Sequence, residues 1–168
     1  GEVAALYDAQ GNLTRSPEQQ TGQSIPDAIG MGASYFPGGL TISAPDLAKL
    51  ISLLANDGSC QERVYLTPES VAEMETTQFS VDPGDGTAPF DQCLILRRQD
   101  DLLGRDQLYY HTGSAYGVYS LLSYDPDTGD GVVVLTTGTA RQVDERGLYA
   151  LPARLSERLY GEMEANGI

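Results

Sequence analysis

The chain is poor in the residues that most often carry chemistry. Its 168 residues include one histidine, His111, one lysine, Lys49, two cysteines and no tryptophan. A single histidine among scattered carboxylates gives no metal-binding spacing. Cys60 and Cys93 form neither a Cys-x-x-Cys nor a Cys/His pattern, so no zinc site is expected. That leaves them as one disulfide, which would point to an oxidising compartment, or as two small apolar side chains. Lys49 falls inside a helical pattern, so no Gly-x-x-x-x-Gly-Lys loop is present to cradle phosphates. Basic residues number ten against 24 acidic ones, a formal net charge of −14. Such a surface repels nucleic-acid phosphates and anionic membranes. No apolar run approaches the ~20 residues of a membrane span, and no basic-plus-apolar secretion signal is present. The chain starts at Gly1 rather than Met, which fits removal of a leader or of much more.

What is present is a globular composition, 40% hydrophobic and 20% charged, in a length suited to one domain over residues 1–168. Residues 3–7 and 12–14 flank Asp8-Ala9-Gln10-Gly11 and predict a hairpin. Residues 16–32, rich in Gln, Ser, Pro and Gly, are expected to form a long surface loop, and Pro37-Gly38-Gly39 demands a tight backbone. Ser43 caps a predicted helix with Leu47, Leu50, Ile51 and Leu54 on one stripe and Gly58 as its left-handed stop. Thr67-Pro68 opens a second helix, buried through Val71 and Met74. A loop over 78–89, a strand over 93–96 and a polar connection over 100–104 follow. Two apolar strands, 118–124 and 131–137, are joined by a turn of Asp, Pro and Gly. A last helix over 151–165 carries Leu151, Leu155, Leu159 and Met163 at intervals of four. The pattern predicts an α/β chain of the α+β kind, an antiparallel sheet with helices packed on it.

The sole histidine sits in Tyr109-Tyr110-His111-Thr112-Gly113-Ser114-Ala115-Tyr116-Gly117, on or just before the first of the paired strands. Side chains alternate across a strand, so a polar triplet there can present a ligand-facing edge. The stretch is not a nucleophile elbow, since the serine of Gly113-Ser114-Ala115-Tyr116-Gly117 stands one place early. A Ser-His-Asp triad could draw only on His111, and the sequence locates no partners for it.

The surroundings of this motif resemble a known family. The segments concerned begin with Phe36-Pro37-Gly38-Gly39-Leu40 and the helix after Ser43. Leu66-Thr67-Pro68-Glu69-Ser70-Val71-Ala72-Glu73-Met74, Tyr110-His111-Thr112-Gly113-Ser114 and Tyr116-Gly117 come next, then the strand ending Val134-Leu135-Thr136-Thr137-Gly138. In order and spacing they are similar to the C-terminal part of the penicillin-recognising serine hydrolases. These comprise class C β-lactamases, D-Ala-D-Ala carboxypeptidases and related esterases. The resemblance implies a β-lactamase-like fold, a small-molecule or peptide substrate with a carboxylate, no cofactor, and work outside the cytoplasm. It implies roles for four residues. His111 would help hold the substrate carboxylate and shape the field around the nucleophile, and Thr112 would hydrogen-bond that carboxylate. Gly113 would let the strand approach the substrate, and the Ser114 N–H would be one of two oxyanion-hole donors. The histidine form of the motif implies a peptidase or esterase more than a dedicated resistance enzyme.

The chain also departs from the family. The nucleophile belongs to Ser-x-x-Lys, yet Asp46 stands three residues before the only lysine. Tyr/Ser-x-Asn is missing too: Gln10, Leu54 and Glu164 stand two residues before Asn12, Asn56 and Asn166. The expectation is a C-terminal fragment whose nucleophile and base lie upstream of Gly1, unable by itself to form an acyl-enzyme. The alternatives are a non-catalytic module binding a carboxylate ligand or protein partner, and part of a related esterase or D-aminopeptidase. A sheet edge left without its partner would favour a homo-oligomer, or pairing with the N-terminal half of the same protein.

Overall fold

The structure, a computed structural model, describes residues 3–22 and 41–167. The predicted N-terminal hairpin is there as β1 (Leu6–Tyr7) and β2 (Leu13–Arg15), shorter than expected. Asp8 organises its turn, accepting from the Gln10 and Asn12 backbone N–H groups at 2.9 and 2.8 Å. Part of the expected long loop is instead a short helix, α1 (Pro17–Thr21). Ser16 and Gln19 close a reciprocal capping box, a signal that the Pro/Gln-rich composition obscured. Residues 23–40, which include Pro37-Gly38-Gly39, lie outside the described residues.

Helix α2 (Ala44–Ala55) starts where Ser43 predicts, with the Ser43 side chain accepting from the Asp46 N–H. Its buried residues are Ile51 and Leu54, whereas Leu50 is exposed, so the core takes only part of the expected stripe. A small hairpin of β3 (Ser59–Cys60) and β4 (Arg63–Val64) leads to α3 (Pro68–Glu75), capped by Thr67 and buried through Val71. Cys60 and Cys93 are both free, so no disulfide is formed.

The rest of the chain builds one antiparallel sheet of β5 (Phe79–Val81), β6 (Phe90–Gln92), β7 (Arg97–Leu102), β8 (Arg105–Ala115), β9 (Val118–Tyr124) and β10 (Gly131–Thr136). Its spatial order is β10-β9-β8-β7-β6-β5. Three expectations change here. The loop over 78–89 contains a strand, and the polar connection over 100–104 supplies the end of β7, with Leu103-Gly104 as its turn. The apolar run 93–96 is a tight turn rather than a strand. Cys93 and Leu96 are buried while Leu94 and Ile95 point to solvent.

Helix α4 (Ala150–Asn166) packs on one face of the sheet and α2 on the other. Alternation along the strands fills the two interfaces with different residues. Leu108, Tyr110, Leu121, Val132 and Val134 meet Ala153 and Tyr160 of α4. Tyr109, Tyr124, Cys93 and Leu96 meet Ile51 and Leu54 of α2. Helix α4 corrects most of the expected apolar stripe: Leu151, Leu155 and Leu159 are exposed, Met163 packs partly buried against the core, and Pro152, Ala153, Ser156 and Tyr160 are buried. Small residues at 153 and 156 allow the helix close to the sheet, and the Tyr160 hydroxyl finds Ser123 Oγ at 2.9 Å. Helices covering both faces of an antiparallel sheet place the chain in the α+β class.

Candidate functional site

Strand β8 is longer than its neighbour β7, and the excess falls on the His-Thr-Gly motif. Strand β7 begins at Arg97, opposite Tyr110. Beyond that point residues 111–115 pair, among the described residues, with β9 only, in unbroken register from His111↔Leu122 to Ala115↔Val118. Tyr116 and Gly117, at φ 52° and 81°, form the two-residue turn that closes Ala115 onto Val118. Backbone groups alternate between the two sides of an antiparallel strand. With Ala115, Gly113 and His111 bonded to β9, the N–H and C=O groups of Thr112 and Ser114 face the unpaired side. Among the described residues nothing bonds to this side, which leaves a strip of outward main-chain donors and acceptors roughly 15 Å long at about 3.4 Å per residue.

The four expected site residues are therefore contiguous, but their side chains divide. His111 shares a face with Tyr109 and Leu122, towards α2. Thr112 and Ser114 lie on the opposite face, with Tyr110 and Leu121 and towards α4. His111 thus cannot serve as base to the Ser114 hydroxyl, and no Ser–His pair exists in the strip. Gly113 has a packing reason of its own: a Cβ there would press on the Ser120 hydroxyl across the ladder.

Desolvation against the sheet is the largest influence on His111 and lowers its pKa below the usual 6.5. The Arg97 guanidinium lowers it further, and a hydrogen bond to the Thr112 backbone partly opposes both. Arg97 was missed in the sequence. It is cross-strand from Tyr110, on the Thr112 face, and its guanidinium lies 4.3 Å from the Phe90 ring centroid. Among the described residues it makes no ion pair, unlike its neighbours. Arg98 binds Asp91 and Asp100 at 3.1 and 3.0 Å, and Arg105 binds Asp125 and Asp130 at 3.6 and 3.2 Å. The available signal was a pair of arginines in a strand preceding His111, hidden because Arg97 to Leu102 is too polar to read as a strand.

Both ends of the strip are closed. At the Ala115 end the Thr14 hydroxyl donates to the Tyr116 carbonyl, and the Arg15 guanidinium lies 3.8 Å from the Tyr116 ring centroid. At the His111 end stands the turn over 93–96.

Comparison with protein-family models, curated proteins and solved structures gives no match. Among the described residues no cluster of three or more His, Cys, Asp or Glu is placed to hold a metal. No helix there is long and apolar enough to cross a membrane. What the arrangement offers chemically is hydrogen bonding along an extended ligand, with one cation at the end where β7 stops.

Proposed function

We propose that this chain is the C-terminal part of a serine hydrolase of the penicillin-recognising class, acting on D-Ala peptides or β-lactams outside the cytoplasm. The observation that carries the reading is the one-sided strip at 111–115, with the Thr112 and Ser114 main-chain groups turned outward beside Arg97, which makes no ion pair among the described residues. A peptide-like substrate adds to this edge as a further strand, supplying the acceptors and donors that β7 does not reach. Its carboxylate meets the Thr112 hydroxyl and the Arg97 guanidinium, a charge-assisted contact stronger than a neutral one. The outward Ser114 N–H then stabilises the oxyanion that forms as the acyl carbonyl becomes tetrahedral. His111, held neutral, contributes a dipole without competing for the substrate's negative charge. The serine nucleophile and its base come from a part of the enzyme other than these residues.

A second reading has one observation behind it. Lys49, the only lysine, is engaged with Asp46 at 2.7 Å and is no candidate base; on this reading the chain acts by itself as a non-catalytic module that binds a carboxylate ligand. Two measurements test what these readings share, a carboxylate site without a nucleophile. Titration of the ¹⁵N-labelled chain with N-acetyl-D-Ala-D-Ala is expected to move the amide signals of Thr112, Gly113 and Ser114, while the C-terminally amidated dipeptide leaves them in place. Equal shifts from both peptides, or none, would remove the carboxylate site. Intact mass after incubation with benzylpenicillin is expected to show no adduct. A stable acyl adduct would mean that the nucleophile is in this chain after all.

A further inference from the structure

We infer that Leu94 and Ile95 form an apolar wall at the carboxylate end of this strip, selecting ligands whose carboxyl-terminal residue has an apolar side chain. The inference rests on the carboxylate site proposed above and adds the chemistry of the group next to it.

Extending the β7–β8 register past Arg97↔Tyr110 brings Leu96 and then Ile95 beside His111 and Thr112. The chain reverses at this point, so the tip of the turn abuts the place where a ligand strand on β8 would end. The turn is fixed by several bonds. Cys93 N–H donates to the Leu96 carbonyl at 2.9 Å, and Leu94 N–H donates to the Met74 carbonyl of α3 at 3.2 Å. The Gln92 side-chain amide spans it, donating to the Cys93 and Leu96 carbonyls at 2.9 and 3.1 Å. The buried Cys93 and Leu96 anchor it in the core beneath.

Neither tip position takes a left-handed φ and the Gln92 amide already serves the turn's carbonyls, so the turn accepts many residue types and does not itself select Leu or Ile. Here the two tip positions carry large aliphatic side chains, each 52% exposed. Neither the turn nor the core requires them. Their position and rigidity suit a surface that a ligand side chain covers, and no charged residue stands between them and Thr112 in the register. In the proposed pose the carboxylate sits at Thr112 and Arg97, and the side chain of that same terminal residue is the ligand group next to this tip.

The test uses the intact chain and three ligands, N-acetyl-D-Ala dipeptides ending in Gly, D-Ala and D-Leu, with affinity read from the Thr112 and Ser114 amide shifts. Burying part of an isobutyl group predicts binding about tenfold tighter for the D-Leu ligand than for the Gly ligand, with D-Ala between. In L94S/I95S the three affinities should converge on that of the Gly ligand, which itself stays unchanged. Both side chains are exposed and the turn's bonds are to backbone, so the variant keeps its fold, checked by an unchanged spectrum away from the turn. A flat series on the unaltered chain, with Thr112 and Ser114 still responding, overturns the apolar wall and leaves the carboxylate site standing. Absence of response to all three ligands overturns both. An unchanged preference in L94S/I95S would assign the selectivity to other residues.

Discussion

At the scale of single residues, His111 reports on the strip most directly. The residue is exposed at the strand edge, but partial desolvation of its ring against the sheet and the field of Arg97 both favour the neutral form. The imidazole titration followed by NMR should therefore have its midpoint below the ordinary 6.5, and Arg97→Gln should move it upward by removing one of the two causes. A midpoint at or above 6.5 would place the guanidinium elsewhere. The sign for stability follows. A base whose folded pKa is depressed takes up fewer protons in the native state than in the unfolded one below 6.5. Its contribution is therefore present above that pH and is lost as pH falls through the folded value. Gly117 tests the other end of the strip. It sits at φ 81°, and a Cβ there would fall on the Tyr7 carbonyl oxygen, a backbone atom that cannot swing aside. Gly117→Ala is expected to cost about 2 kcal/mol in urea denaturation, whereas Gly84→Ala, with a similar φ of 69° but open space around it, should cost less.

At the scale of elements, the sheet is held to α4 by a buried polar knot. The Arg105 guanidinium reaches Asp125 and Asp130 at 3.6 and 3.2 Å and lies 4.9 Å from the Tyr160 ring centroid. Asp125 in turn accepts from the Asp127 and Thr128 N–H groups at 2.8 and 3.2 Å, shaping the β9–β10 turn. Arg105→Met keeps the apolar stem but strands a carboxylate that is 8% exposed. About 3–5 kcal/mol of destabilisation is expected, the cost typical of breaking one half of a buried pair. Adding Asp125→Asn should recover part of that loss, and a loss below about 1 kcal/mol would show the knot to be solvated. These elements also show where the sequence was legible. Caps at Ser43 and Thr67 and the apolar strands β9 and β10 were readable because each is a local signal. Strand β7 was not, because four of its six residues, Arg97, Arg98, Asp100 and Asp101, are charged and leave no apolar alternation to read; that Arg98 meets Asp91 and Asp100, and that Gln107 donates to Asp100, shows only once the strands are aligned. The face of α4 was misread for a related reason. Leu151, Leu155 and Leu159 form a valid stripe, but the sheet accepts the smaller Ala153 and Ser156 with Tyr160, whose hydroxyl has a buried partner. The His-Thr-Gly residues were visible from the motif, whereas Arg97 and the Leu94-Ile95 turn came into view only with the register.

At the scale of the whole molecule, two features oppose each other. Strand β10 closes the sheet on one side and carries no charge, proline or bulge along Gly131–Thr136, and among the described residues no strand pairs with its outer edge, a template for another strand. Beside it runs an apolar groove between α2 and α4, lined by Ala44, Val133, Leu135, Leu155 and Leu159. On the proposed reading a strand from the rest of the enzyme would occupy this edge, and without one a second copy is the available partner. Against pairing stands the net charge of −14 on each copy, a repulsion that acts across solvent and is screened by salt. Edge pairing and apolar contact are not weakened in the same way. Self-association should therefore strengthen with ionic strength, the reverse of an assembly held by ion pairs. Sedimentation velocity at micromolar concentration is expected to show mostly monomer in low salt and a shift to larger species in roughly 0.5 M NaCl, where the screening length falls to about 4 Å. Leu135→Lys puts a cation on the exposed edge strand and should hold the chain monomeric at both salts. A monomer throughout for the unaltered chain would mean that the β10 edge is protected by twist or by the flanking helices. Association that weakens with salt would instead place the contact among charged side chains elsewhere on the surface.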